Sequence, residues 1–151
     1  MSPNLFAFLS MIRTAEGTAG PSGYKTLFGG GLFHSYLDHP RQRVTKKLGK
    51  KVITSSAAGA YQFLEDTWDE CAAALKLPDF SPESQDKAAR FLIRRRGALA
   101  DVIAGRFRTA IGKCSKEWAS MPGSPYGQPT ITMAYALELI AKAGGVNTEG
   151  V

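Results

Sequence analysis

Apolar residues recur at helical spacing along much of the chain, and the interruptions of that spacing are as informative as the pattern. Leu5, Leu9 and Ile12 fall at i, i+4 and i+7, one buried helical face, with Ser2 and Pro3 placed to start the helix and Gly17 to end it. One turn farther along that face stands Glu16, a carboxylic acid where the pattern asks for an apolar side chain. At a helix C-terminus and partly desolvated, an acid keeps its proton to higher pH, the property a general acid needs. Acids at the end of an apolar stripe are also commonly structural or turned to water, so spacing alone leaves both readings open.

From Thr18 to Ser56 the helical period is absent; Gly, Thr, Lys and aromatics dominate, and Gly29-Gly30-Gly31 and His39-Pro40 break the chain. Runs at Tyr24 to Phe28 and Val52 to Thr54 read as strand segments able to pair, and Val44 to Thr54 reads as a hairpin turning near Gly49. Helical spacing returns after Gly59-Ala60-Tyr61-Gln62, with Leu64, Trp68, Cys71 or Ala72, and Leu75 inward and Pro78 just beyond. Ser81-Pro82-Glu83 starts another helix, with Ala88, Phe91 and Leu92 inward and Arg94-Arg95-Arg96 ahead of Gly97. Leu99, Val102 and Ile103 form a short segment stopped by Gly105, and Phe107, Ala110, Ile111, Cys114 and Trp118 form a further stripe. A Pro/Gly-rich link from Pro122 to Pro129 leads to a last helix from about Ile131, with Met133, Leu137 and Ile140 inward, ending at Gly144-Gly145. The expectation is a single α+β domain, mainly α, over residues 1–151. A helical body would carry a small β-containing lobe at about residues 18–58, flanking a cleft with Glu16 at its floor.

Composition changes this picture at one point. Hydrophobic content of 44% over 151 residues is ordinary for a globular chain, but the net charge of +6 suits an anionic partner: nucleic acid, a membrane surface or an acidic wall polymer. The clusters at Arg41-Gln42-Arg43, Lys46-Lys47, Lys50-Lys51 and Arg94-Arg95-Arg96 are equally what a solvated face looks like. No export leader or long apolar run is present, so the chain is expected as a cytosolic species that reaches an outside target by another route. Cys71 and Cys114 fall on apolar stripes and are expected as small buried hydrophobes.

Candidate chemistry narrows by elimination. His34 and His39 share a loop and no Cys/His spacing fits a metal; Gly29-Gly30-Gly31 lacks the rest of a phosphate loop; no nucleophile elbow occurs. No cofactor is expected. Basic and aromatic residues interleave from Tyr24 to Lys51 as in nucleic-acid binders, but no helix carries a concentrated basic recognition face. Tyr61-Gln62 and Tyr126-Gly127-Gln128 each set a flat aromatic beside an amide, a pairing suited to pyranose rings and N-acetyl groups. Trp68 reads as core, as Tyr61 also does on the plainer view, in which Gln128 is only a loop amide.

With these residues assembled, the sequence resembles the phage lambda endolysin family of the lysozyme-like superfamily over nearly its whole length. The likeness rests on Phe8-Leu9, Glu16-Gly17-Thr18, Gly23-Tyr24, Leu32-Phe33, Asp38-His39-Pro40-Arg41, Val44-Thr45 and Gly59-Ala60-Tyr61-Gln62. Farther on it includes Asp79-Phe80-Ser81-Pro82, Ser84-Gln85-Asp86, Arg96-Gly97-Ala98-Leu99, Trp118-Ala119-Ser120-Met121-Pro122-Gly123 and Tyr126-Gly127-Gln128. The resemblance implies a monomeric lytic transglycosylase that cuts peptidoglycan strands between N-acetylmuramic acid and N-acetylglucosamine and leaves anhydromuramyl ends. It would act on the wall beyond the bacterial inner membrane, with no nucleic acid and no stable membrane association. The catalytic glutamate falls on Glu16, and Tyr24, Asp38, Tyr61, Gln62, Tyr126 and Gln128 are the expected substrate-binding residues. Two departures stand out: the loop between Thr18 and Gly23 is shorter than in the family's lambda member, and Lys25 stands where that member has an acid. The rival enzyme is a hydrolytic muramidase, which needs a second carboxylate such as Asp38, Asp66 or Asp69. The rival outside enzymes is an inactive glycan- or nucleic-acid-binding module.

Overall fold

A computed structural model of the chain describes residues 1–150, and its elements follow from the sequence pattern with a few instructive shifts. Helix α1 (Pro3–Ala15) starts where Ser2 and Pro3 predict, the Ser2 hydroxyl accepting the Leu5 amide at 3.3 Å. It buries Leu5, Leu9 and Ile12 together with Ala7, Phe8 and Met11. The stripe is therefore wider than three positions, as expected for a helix enclosed by neighbours. Gly17 adopts φ 76°, the left-handed conformation that stops a helix.

The chain forms two compact units. In the first, residues 1–15 join the chain from Leu92 onward. Here α1 packs on α4 (Leu99–Ala104) and α6 (Met133–Lys142), and α5 (Phe107–Cys114) packs on α4 and α6. Phe8 stacks on Phe107 with ring centroids 6.5 Å apart. Val102, Phe107, Ile111, Met121 and Ile140 are buried beside them, each such side chain stabilising the fold by about 1.5–3 kcal/mol. The buried Asp101 carboxylate receives Arg106 Nε at 2.8 Å and Lys113 Nζ at 2.7 Å, which locks α4 to α5 and holds its own pKa below the usual carboxylate range. Asn4 receives the Val146 amide at 2.9 Å and donates to the Ile103 carbonyl at 3.0 Å, so the closing segment is tied to the first helix. Cys114 is buried as expected, and burial pushes its thiol up to about 12.

The second unit is Glu16–Phe91; the expected lobe at residues 18–58 falls inside it. The hairpin forms as predicted, β1 (Val44–Leu48) against β2 (Lys51–Ser55), with Val44 opposite Ser55 and Leu48 opposite Lys51. Gly49 supplies φ 60° at the turn. Tyr24 to Phe28 is not a strand paired with Val52 to Thr54: Gly23–Lys25 is a 3₁₀ turn, after which Thr26 bridges Leu32 and Leu27 bridges Ala58. Gly23 decides this, since it packs its backbone against Thr18 and tightens the chain there.

Helix α2 (Glu65–Leu75) and the start of α3 (Pro82–Arg95) complete the unit. On α2 the inner face is Trp68 and Cys71, whereas Leu64 is 50% and Leu75 is 37% exposed. Leu64 precedes the helix, and the Ser56 hydroxyl accepts the Glu65 amide at 3.1 Å in its place as cap. The core is aromatic: Trp68 meets Phe80 edge-on at 4.6 Å, Phe63 meets Trp68 at 5.3 Å, and the His39 ring meets Phe80 at 5.1 Å.

His39 is 2% exposed, its Nε2 donating to the Phe63 carbonyl at 2.7 Å and its Nδ1 accepting the Arg41 amide at 2.9 Å. That arrangement suits the neutral ring, and burial, reinforced by the Arg41 charge, lowers the pKa below 6.5. The unfolded chain then binds this proton before the folded one does. Stability is full above about pH 6.5 and falls as pH drops through it. The thermal unfolding midpoint is expected to decline from about pH 7.5 to about pH 5, and His39→Gln, which cannot titrate, to flatten that limb.

Candidate active site

Glu16 follows α1 as the first residue of the second unit, half-buried in the turn that Gly17 completes. The helix stops one residue earlier, at Ala15, so Glu16 stands just beyond the end of the stripe rather than on the helix itself. Its turn is fixed from two sides through Thr18, which is 2% exposed. The Thr18 hydroxyl donates to the Ala60 carbonyl. On the other side Gly23 lies so close that a Cβ there would stand 1.8 Å from the Thr18 carbonyl oxygen.

Ala60 belongs to the Gly59–Gln62 turn, closed at its base by the Ala58 and Phe63 backbones, which exchange hydrogen bonds at 3.0 and 2.9 Å. Gly59 (φ 85°) and Gln62 (φ 49°) are both left-handed. For a residue other than glycine that conformation costs about 1–2 kcal/mol. Two contacts offset it. The Gln62 side-chain nitrogen donates to the Gly59 carbonyl at 2.8 Å and to the Thr26 carbonyl at 3.0 Å. Behind the turn lies Gln85 of α3, wholly buried: its Oε1 accepts the Ala60 amide at 2.9 Å, and its Nε2 donates to Phe80 at 2.8 Å and to Tyr24 at 3.1 Å.

The structure thus brings Tyr24, Tyr61 and Gln62 into one hydrogen-bonded framework of the second unit, to which the turn of Glu16 is joined through Thr18. Tyr61 differs from the stacking surface expected of it: it is 1% exposed, with its ring 5.9 Å from Phe63 and its hydroxyl donating to Asp86. Tyr24 is half-buried and donates to the same Asp86 oxygen. Asp38 lies in this unit too, exposed and gripped by Arg41, whose Nε reaches Asp38 Oδ2 at 3.0 Å while its terminal nitrogens hold both oxygens of Asp69. That guanidinium holds both carboxyls below the usual range. Asp66 is exposed on the first turn of α2. Tyr126 and Gln128 belong to the first unit; Tyr126 is 47% exposed and donates to the Lys116 carbonyl at 2.7 Å. Lys25 is exposed on the 3₁₀ turn.

Sequence reasoning missed the parts of Gln85 and Asp86. Gln85 had a signal: with Ala88, Ala89 and Leu92 it completes a stripe at i, i+3, i+4 and i+7, so an amide stood at a buried position.

A family model described as Endolysin matches residues 6–147. The chain is 42% identical over 149 residues to the endolysin of Escherichia phage lambda, covering 95% of this chain and 92% of that one. It is 41% identical over 155 residues to the endolysin of Escherichia phage P2, covering 95% and 94%. Among solved structures it is similar to bacteriophage lambda lysozyme complexed with a chitohexasaccharide, at a TM-score of 0.89 and 39% identity over 97% of each chain. Lysozyme from bacteriophage lambda aligns at a TM-score of 0.83 with 41% identity, again over 97% of each chain.

Two glycines separate backbone strain from close packing. At Gly59 an added Cβ would lie 2.4 Å from Gln85 Oε1 and 2.9 Å from the Phe80 ring, whereas at Gly49, also left-handed, it meets nothing within 4 Å. In urea unfolding, Gly49→Ala is expected to cost about 1–2 kcal/mol and Gly59→Ala about 2 kcal/mol or more beyond that, with loss of activity for Gly59→Ala alone.

Proposed function

The chain belongs to the endolysin family, with a lysozyme-like fold that is mainly α with a small β part, and from that premise we propose that it cleaves the glycan strands of peptidoglycan as a lytic transglycosylase. The observation that carries the reading is the Thr18–Ala60 hydrogen bond, which joins the turn bearing the one acid on the α1 stripe to the turn bearing Gln62. In the proposed reaction Glu16 donates its proton to the glycosidic oxygen as the bond to the muramyl anomeric carbon breaks. The resulting carboxylate then takes the proton of the muramyl C6 hydroxyl, whose oxygen closes on the anomeric carbon. One residue serves as acid and then as base, the nucleophile belongs to the substrate, and no water is consumed. Closure is intramolecular and benefits from a high effective concentration.

Glu16 is half-buried and follows directly on the C-terminal end of α1. Gln62 has both amide hydrogens engaged by backbone carbonyls, so what it offers a ligand is Oε1, an acceptor that complements the N–H of an acetamido group. Tyr24, Tyr126 and Gln128 are proposed as further glycan contacts, and Tyr61 as support for Gln62. Arg41 favours the transglycosylase over a hydrolase: it occupies Asp38 and Asp69, leaving both poorly placed to act as a second, nucleophilic or basic carboxylate. The relative solved with a chitohexasaccharide supports glycan as the substrate class. The net charge of +6 favours approach to an anionic wall.

Glu16→Gln is expected to lower cleavage of purified peptidoglycan by about 10²–10⁴-fold in a chain that still folds, since an amide can neither give nor accept the proton; full activity in the folded variant removes Glu16 from the mechanism. Products formed in heavy-oxygen water are expected to carry anhydromuramyl ends without label. Labelled reducing ends with no anhydro species would make the protein a muramidase and return attention to Asp38, Asp66 and Asp69.

A further inference from the structure

Ser84, Gln85 and Asp86 follow one another in the opening turns of α3. Ser84 is buried with its hydroxyl on Asp79 Oδ1 at 2.9 Å, and Gln85 secures the Gly59–Gln62 turn. Asp86 makes a different contact. Its Oδ1 accepts the Tyr24 hydroxyl at 2.8 Å and the Tyr61 hydroxyl at 2.7 Å, and the two rings meet edge to face with centroids 6.4 Å apart. Each phenol lies one residue beyond a group that touches Thr18. Tyr24 follows Gly23, whose backbone packs on the Thr18 carbonyl, and Tyr61 follows Ala60, whose carbonyl receives the Thr18 hydroxyl. Thr18 is itself two residues from Glu16.

We infer that Asp86 is a positioning residue for glycan cleavage: by docking the Tyr24 and Tyr61 hydroxyls on one oxygen it fixes both supports of the Glu16 turn. The inference rests on Glu16 being the acid. Neither phenol needs a charged partner to be satisfied, since any backbone carbonyl would serve. What a single side-chain oxygen adds is a common point for two separate segments, 23–25 and 59–62. Catalysis by positioning is sensitive to small shifts, a misplacement of about 1 Å costing about 10²-fold.

The test is kcat and KM on a soluble peptidoglycan fragment, with kcat expressed per folded molecule from circular dichroism. Asp86→Ala is expected to lower kcat per folded molecule by about 10- to 100-fold with KM within about threefold. Asp86→Asn keeps an oxygen with two lone pairs for the two phenols and is expected to stay within about threefold of the parent. Tyr24→Phe with Tyr61→Phe should reproduce the Asp86→Ala loss, and Asp86→Ala added to that pair should cost nothing more. Asp86→Ala holding kcat per folded molecule within about twofold, or Asp86→Asn falling as far as Asp86→Ala, overturns the inference. Where Asp86→Ala does not fold, the double tyrosine variant decides alone: kcat within about twofold of the parent overturns it. Glu16→Gln assayed in parallel separates the two readings. An active Glu16→Gln defeats the proposed function, whereas an inactive one beside an unaffected Asp86→Ala defeats only the positioning role.

Discussion

The second unit depends on one buried amide. Gln85 has no water to fall back on, so every bond it makes must come from the protein, and all three come from backbone: Ala60, Phe80 and Tyr24. Losing any one would leave a buried polar group unsatisfied at a cost of about 1–3 kcal/mol. The loops carrying those backbones are thereby held to one geometry. The left-handed turn at Gly59–Gln62 persists because Gln85 fills the space where a Cβ of residue 59 would stand. The Thr18 bond to Ala60 then passes that geometry on to the turn of Glu16.

Helices were legible in the sequence because each needs only a local periodicity and a stop. Ser2-Pro3, Gly17, Ser81-Pro82 and Gly97 end or begin elements close to where their chemistry says they should. The hairpin turning at Gly49 was legible for the same reason. What failed were inferences that needed tertiary knowledge. Leu64 fits the helical spacing, but Ser56 supplies the cap and leaves Leu64 outside the buried face. Trp118, by contrast, is buried as its place on the stripe expects, although α5 ends at Cys114.

Glu16 stands out in the sequence because it interrupts an apolar stripe, and an interruption is a local signal. Gln85 interrupts a stripe in the same way. Tyr61 shows the opposite limit. An aromatic beside an amide looks like a sugar platform, yet an apolar ring gains most where apolar partners are nearest, and Phe63 and Tyr24 lie within reach. Asp86 was invisible because its meaning lies in two hydroxyls 62 and 25 residues away. Arg41 likewise has its partners in Asp38 of its own loop and Asp69 of α2, a pairing that only folding brings about.

The first unit is discontinuous: α1 packs on α4 and α6, and the whole of Glu16–Phe91 is inserted between α1 and those partners. During synthesis the first helix therefore leaves the ribosome long before anything exists to cover its apolar face. Its final partner, α6, comes at Met133–Lys142, and the Asn4 tie to Val146 forms later still. The residue proposed as the acid hangs directly from the end of that waiting helix. A growing or truncated chain thus lacks the anchored α1 from which the Glu16 turn departs. Completion of the polypeptide becomes a condition for covering α1, a form of temporal control written into chain connectivity.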